Sequence, residues 1–281
     1  MSIYDYQQIH EKRKNYFILF TLVLVFLAIM IANIPVLKSY IFFIENQREE
    51  RQPQMLEVSR SLSREEAVTV RRSYESAVGI ISMSPSMGIS SFSGTVFQYK
   101  NKFYVISVAH GFVGNCKSTF VILATSDILP CGKVVVMDHE KDYSIIELGG
   151  EPRDGLPIVS LNSILLNSER RWSRAVSLQN KVYYTGFPNG TGPLTISGEI
   201  IGLQQEKYIF LHSYAWSGAS GSGVFLGNGK FLGVLLAVEV GSTNFGIQVL
   251  EDVVVVLPET SIDWSVLDNN RGQNGTEAYR R

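Results

Sequence analysis

Residues 216–225 read WSGASGSGVF, a run of small residues from Gly218 to Gly223 that enters the apolar pair Val224-Phe225 without a break. Such a run is either a flexible turn or a loop shaped around one reactive serine, Ser220. A serine hydroxyl is a weak nucleophile at neutral pH. It needs a neighbouring base to take its proton, and that base needs an orienting acid. The rest of the chain decides between the two readings.

The loop lies in a region of β texture. From about Ser76, short runs rich in β-branched and aromatic residues alternate with Gly, Asn and Pro: AVGIISM, GTVFQY, FYVISVA, TFVILA, KVVVMD and YSIIEL. After a polar middle, residues 150–180, they resume as KVYYTGF, LTISGEIIGL, YIFLHSY, GVFL, KFLGVLLAV and FGIQVL. Two such groups predict an all-β fold of two tandem six-stranded antiparallel β-barrels over residues 76–260. The polar residues 261–281 are expected to form a C-terminal tail.

Ahead of this region the chain is different. No charged residue occurs from Asn15 to Leu37. A bilayer-spanning helix needs about 20 apolar residues, so the run is long enough. A buried core helix would show a polar face, and a signal peptide has an apolar core of roughly 7–15 residues followed by a small-residue cleavage site. Neither fits. The barrels are therefore expected to be preceded by one transmembrane helix, 15–37, set in the lipid bilayer between an N-terminal tail (1–14) and a charged juxtamembrane stalk (38–75), solvated and partly helical from Met55. Lys12, Arg13 and Lys14 abut the N-terminal end of the span. The positive-inside tendency puts that end in the cytoplasm and the barrels on the non-cytoplasmic side.

Lys and Arg number 25 against 26 Asp and Glu, a formal net charge of −1, which gives no reason to expect a nucleic-acid partner. No CxxC or HExxH spacing is present, so neither a metal nor another cofactor is expected. The two cysteines, Cys116 and Cys131, leave two readings open: a bond between neighbouring strands in an oxidising compartment, or two buried thiols.

The base and acid are sought among few candidates. His10 precedes the apolar span and is set aside. His110 closes the β run FYVISVAHG, where a strand ends and a loop opens. Asp142 opens the run DYSIIEL after a charged turn that also holds Asp138 and His139. Taken singly, each is an ordinary strand-end or turn residue.

Taken together, in the order His110, Asp142, Ser220, the chain resembles the trypsin-like (chymotrypsin-fold) serine proteases. VISVAHG is similar to that family's strand ending in Ala-Ala-His, DYSIIEL to its Asp-Leu-Ala element, and GASGSG to its Gly-x-Ser-Gly-Gly loop. The block VYYTGFPNGTGPLTISGEIIGL resembles the compact Deg-type bacterial enzymes and related viral proteases, and FGIQVLEDVVVVL the strand and closing helix of that domain. The resemblance implies a triad of His110, Asp142 and Ser220, with Ile145-Ile146 setting the register that prefers Asp142 to Asp138. It implies an oxyanion hole from the amides of Gly218 and Ser220, and a specificity pocket with Tyr214 and Ala215 at its base, Ala237, Val238 and Glu239 along its wall and Gly246 opposite. His212 is a further candidate lining residue. Ser222 and Gly223 depart from the family's commonest residues, and Ser222 is the alternative nucleophile. The α/β-hydrolase motif G-x-S-x-G fails, because residue 222 is serine and the His and Asp precede Ser220.

The implied function is a membrane-anchored serine endopeptidase acting on protein or peptide substrates through an acyl-enzyme. Two other readings are a catalytically idle binding module of the same fold, and a viral-type protease that processes its own polyprotein.

Overall fold

The computed structural model describes residues 61–152, 158–166, 169–204, 207–243 and 246–269, with backbone alone for residues 169, 237–243, 246–251 and 269. The apolar span 15–37 and most of the expected stalk lie outside the described residues. Among the described residues no helix is long and apolar enough to cross a membrane.

Twelve strands form two closed antiparallel barrels, as the strand pattern predicts. The first comprises β1 (Ala77–Ser84), β2 (Gly88–Tyr99), β3 (Lys102–Ser107), β4 (Thr119–Leu123), β5 (Ile128–Asp138) and β6 (Tyr143–Leu148), closing in the order β1-β2-β3-β6-β5-β4. Alternation sets its interior. Val78 and Ile80 pair across to Leu123 and Val121, and all four are buried. The β2–β3 hairpin turns on Lys100-Asn101, both at positive φ, the two-residue geometry whose twist matches its strands.

The second barrel comprises β7 (Lys181–Gly186), β8 (Leu194–Gln204), β9 (Tyr208–His212), β10 (Gly223–Leu226), β11 (Phe231–Thr243) and β12 (Gly246–Pro258), closing as β10-β11-β12-β9-β8-β7. Val182, Tyr184, Ile200, Leu211 and Val254 fill its interior. The core of the first barrel continues into Phe225, Phe231 and Leu257 of the second, so the two share a packed apolar contact.

Three segments differ from the sequence expectation. Residues 64–75, expected in a solvated, partly helical stalk, are helical, in α1 (Arg64–Ser76), started by a capping box in which Ser63 and Glu66 bond each other's backbone amides, but they are not solvated as a stalk. The helix is docked on the second barrel. Thr69 donates to the carbonyl of Gly227 (2.9 Å), Arg72 to that of Gly229 (2.7 Å), and Ser73 shares a buried hydrogen bond with Thr185 (2.9 Å). The Tyr183 hydroxyl donates to Glu66, whose carboxyl is held down at about 2, chiefly by the Ser63 backbone and hydroxyl bonds. Two short helices, α2 (Leu161–Ile164) and α3 (Glu169–Ala175), lie in the polar middle between the barrels.

In place of a closing helix after FGIQVL, β12 runs unbroken to Pro258, because Val253-Val254-Val255-Val256 are β-branched and pair with β9 and β11. The beginning of the expected polar tail then packs as a closing segment: a 3-10 turn (Glu259–Ser261) and α4 (Val266–Asn269), with Ile262 and Leu267 buried. Trp264 sits edge-on to Phe97 of the first barrel (5.8 Å) and Phe231 of the second (6.2 Å).

Cys116 and Cys131 are bonded, with Cα atoms 5.2 Å apart. Cys116 lies in a 3-10 turn just before β4 and Cys131 on β5, so the bond fastens the end of the loop that follows His110. Closing a loop of this length is worth about 3 kcal/mol in the chain-entropy account.

Candidate active site

His110 follows β3 by three residues and Asp142 immediately precedes β6. Those strands pair, Ser107 opposite Ser144, so the two residues meet at one end of the first barrel. Asp138, the last residue of β5, shapes the turn from β5 into β6. Its Oδ1 accepts from the amides of Glu140 (3.0 Å) and Lys141 (2.9 Å), the local bonding that ends a strand in a turn. That contact leaves Asp138 facing its own loop and presents Asp142, at φ +58°, to the histidine.

The Asp142 carboxylate grips His110 at three points. Oδ2 lies 2.6 Å from the ring Nδ1, and Oδ1 accepts from the amides of His110 (2.9 Å) and Ala109 (3.1 Å). An ionised carboxylate can only accept, so Nδ1 carries the hydrogen and Nε2 keeps its lone pair. The electrostatics agree. The hydrogen bond to Asp142 raises the His110 pKa, against a smaller opposing effect of burial. Burial pushes the Asp142 carboxyl up, but its bonds to His110 and Ala109 outweigh this and leave it below its usual value. The closing segment braces both neighbours of this acid, since Lys141 donates to the Ser261 carbonyl (2.9 Å) and the Tyr143 hydroxyl accepts from the Asp263 amide (3.2 Å).

Ser220 comes from the second barrel and is brought to the first by its loop. Its carbonyl accepts from the amide of Ser93 on β2 (2.9 Å). Gly221, at φ +93°, lies so close to the Ser93 carbonyl and the Ser107 hydroxyl that a Cβ would collide with both. Ser107 ends β3, three residues before His110, which sets the loop against the strand that leads to the histidine. Among the described residues the His110 ring bonds to Asp142 and not to the Ser220 hydroxyl. Hydrogen bonds of this kind are often long without substrate and tighten when it binds.

The loop is shaped, not loose. Gly218 has φ +90°, which closes a turn in which the Ala219 amide donates to the Trp216 carbonyl (2.9 Å). The Ser217 carbonyl accepts from the Asn189 amide (2.7 Å), and the Ala219 carbonyl from the amide (3.1 Å) and hydroxyl (2.7 Å) of Ser222. A planar trans peptide points its N–H opposite its C=O, so fixing these carbonyls aims the amides of Gly218 and Ser220 away from them. Among the described residues neither amide has a hydrogen-bond partner. Ser222 is fully buried with its hydroxyl committed, which fits a bracing residue and not a nucleophile.

The family model for the trypsin-like peptidase domain matches residues 92–234, just over half of the chain. The chain belongs to that family. Among solved structures, this trypsin-like domain is similar to the serine endoprotease from Yersinia pestis, at 18% identity and TM-score 0.54, over 73% of this chain and 64% of that one. The chain therefore spans less than two thirds of the Yersinia protein's length. It is similar to a protease from M. tuberculosis in its active form, at 18% identity and TM-score 0.51, over 69% and 80% of the two chains. It is also similar to the HtrA-type protease AlgW with tripeptide, at 18% identity and TM-score 0.52, over 69% and 60%. At these identities the likeness is one of fold. Among curated proteins no relative matches the sequence.

The expected pocket is placed in part. Tyr214 is exposed, at 59%, and Ala215 packs on the second core. Beneath them the Tyr184 hydroxyl bonds the Tyr214 carbonyl and the Ser213 hydroxyl, and burial pushes that phenol up to about 12. Ala237, Val238 and Glu239 lie on β11 opposite Val255, Val254 and Leu250, but their side chains are outside the described residues. Gly246 pairs with Thr243 at the far end of the β11–β12 hairpin rather than across from that wall. His212 ends β9 exposed, its ring 3.9 Å from the Asp252 carboxylate. Ser93 was missed, because one serine in SSFSGTVF carries no motif or periodic signal.

Proposed function

We propose that the protein is a membrane-anchored serine endopeptidase that cleaves peptide bonds through an acyl-enzyme formed on Ser220. The observation that carries this reading is the His110–Asp142 pair with its Nε2 free, set at the barrel end against which the Ser220 loop is hydrogen-bonded. Ser220 attacks the substrate carbonyl while His110 Nε2 takes its proton. Asp142 holds the ring tautomer and stabilises the imidazolium. The amides of Gly218 and Ser220 receive the developing oxyanion, and His110 then returns the proton to the leaving amine. Water repeats the sequence on the acyl-enzyme. Two unpartnered amides beside an ordered acid–base pair favour this over an idle binding module, because binding alone requires neither.

The test is labelling of the full-length chain in detergent with a fluorophosphonate, followed by mapping. Labelling on Ser220 is expected, at a rate that falls as pH drops through the His110 pKa, since a protonated imidazole accepts no proton. That pKa is raised from 6.5, so the acid limb should lie above pH 6.5. Absence of labelling at pH 8 would reject the reading.

The anchor, residues 15–37, and the non-cytoplasmic placement rest on the apolar span and its basic flank, and the Cys116–Cys131 bond supports an oxidising compartment. The protein should stay with membranes through alkaline carbonate extraction. Residues 76–260 should resist added protease in inside-out vesicles and be digested in right-side-out ones. Digestion in the inside-out vesicles would reverse the orientation.

A further inference from the structure

Ser93 lies on β2, far in sequence from the candidate residues, and is fully buried. All of its polar atoms are engaged. Its amide donates to the Ser220 carbonyl (2.9 Å), its hydroxyl donates to the Gly218 carbonyl (2.6 Å) and accepts from the Phe187 amide (2.8 Å), and its carbonyl accepts from the Ser107 hydroxyl. One serine of the first barrel thus bonds two segments of the second, the turn after β7 and the loop that carries Ser220.

Between Ser217 and Ser220 each backbone carbonyl is held by one neighbour. Asn189 holds Ser217 and Ser222 holds Ala219, while Ser93 holds Gly218 by its side chain and Ser220 by its backbone. The Gly218 carbonyl lies between the two amides aimed at the oxyanion, in a residue with no side chain to resist rotation. At φ +90° it has the conformational freedom of glycine, and the structure sets two bonds against that freedom, the Ser93 hydroxyl on the carbonyl and the Trp216 carbonyl on the Ala219 amide of the same peptide.

We infer that Ser93 is a positioning residue for peptide hydrolysis, its hydroxyl fixing the Gly218–Ala219 peptide that links the Gly218 and Ser220 amides, so that the two converge on the oxyanion. The inference rests on the proposed peptidase reading. Without the hydroxyl, the buried Gly218 carbonyl loses its donor and the Gly218–Ala219 peptide, the link between the two amides, turns to find another, so the Gly218 and Ser220 amides no longer point to one place. Substrate binding elsewhere and the His110–Asp142 pair are untouched.

Ser93→Ala should lower kcat by roughly 100-fold, the scale of one lost oxyanion donor. KM should stay within about twofold and the pH of the acid limb should not move, since the imidazole keeps its partner. Ser93→Thr, which keeps the hydroxyl, should recover most of the loss. Ser93→Cys keeps the shape with a weaker donor. It should melt with the parent protein and lose kcat as the alanine variant does, which keeps the test decisive even where Ser93→Ala does not fold. Parent-level kcat in a folded Ser93→Cys or Ser93→Ala protein would overturn the inference. So would a loss shared equally by kcat, KM and melting temperature, which marks a merely structural residue. An unmutated chain that neither hydrolyses peptides nor takes up fluorophosphonate would instead sink the peptidase reading beneath it.

Discussion

Peptide hydrolysis is expected to fall by about 10⁶-fold in turnover on Ser220→Ala, the scale of nucleophile loss in a serine protease of unrelated fold. The loss is large because the acyl-enzyme route closes entirely, leaving only what the oxyanion site and substrate binding contribute. Adding His110→Ala should cost little more, since the members of such a unit fail together. Melting should move little, because Ser220 is only partly buried and its hydroxyl has no bond to lose among the described residues. Ser222→Ala is the control. Its hydroxyl braces the Ala219 carbonyl, and losing one such bond costs about 1 kcal/mol, so activity should stay within about tenfold. Activity that survives Ser220→Ala and dies with Ser222→Ala would mean the right loop and the wrong serine.

Asp142→Asn should cost about 10⁴-fold in turnover with the fold intact. An amide offers the ring an NH₂ as readily as an oxygen, so the imidazole no longer holds its hydrogen on Nδ1 and Nε2 ceases to be a reliable base. The acid limb should also move to lower pH, because the hydrogen bond to Asp142 is the main cause of the raised His110 pKa. Asp138→Asn should be near neutral, since an amide oxygen can still accept from Glu140 and Lys141. A pH–rate series on the three proteins decides it, and a larger loss at Asp138 would overturn the assignment.

Much of this was legible because it is local. Alternating β-branched runs and Gly, Asn and Pro turns predict both barrels, and the apolar register after Asp142 separates it from Asp138. Other parts depend on distant partners and leave no local pattern. Helix α1 declares its own start in Ser63 and Glu66, but its seat on the second barrel is made by bonds such as Thr69 to Gly227, between residues far apart in sequence. Ser93 is the same case. Its neighbours in sequence say nothing about Gly218. The closing segment was hidden by its polar company, although Ile262, Trp264 and Leu267 supply an apolar face once the barrels offer one. The run of four valines was a signal against a closing helix, outweighed by the family resemblance.

Order of synthesis gives the divided site a further meaning. His110 and Asp142 belong to the half of the domain that leaves the ribosome first, but the core of that half takes in Phe225 and Phe231 and its acid is flanked by bonds to the closing segment, both made last. Ser220 arrives later, and its loop takes its shape from Ser93 across the junction. Proteolysis through the proposed triad therefore requires a coincidence of two finished halves. On the proposed reading, a half-built chain lacks Ser220 and cannot form the acyl-enzyme, so hydrolysis should appear only once the second half has closed.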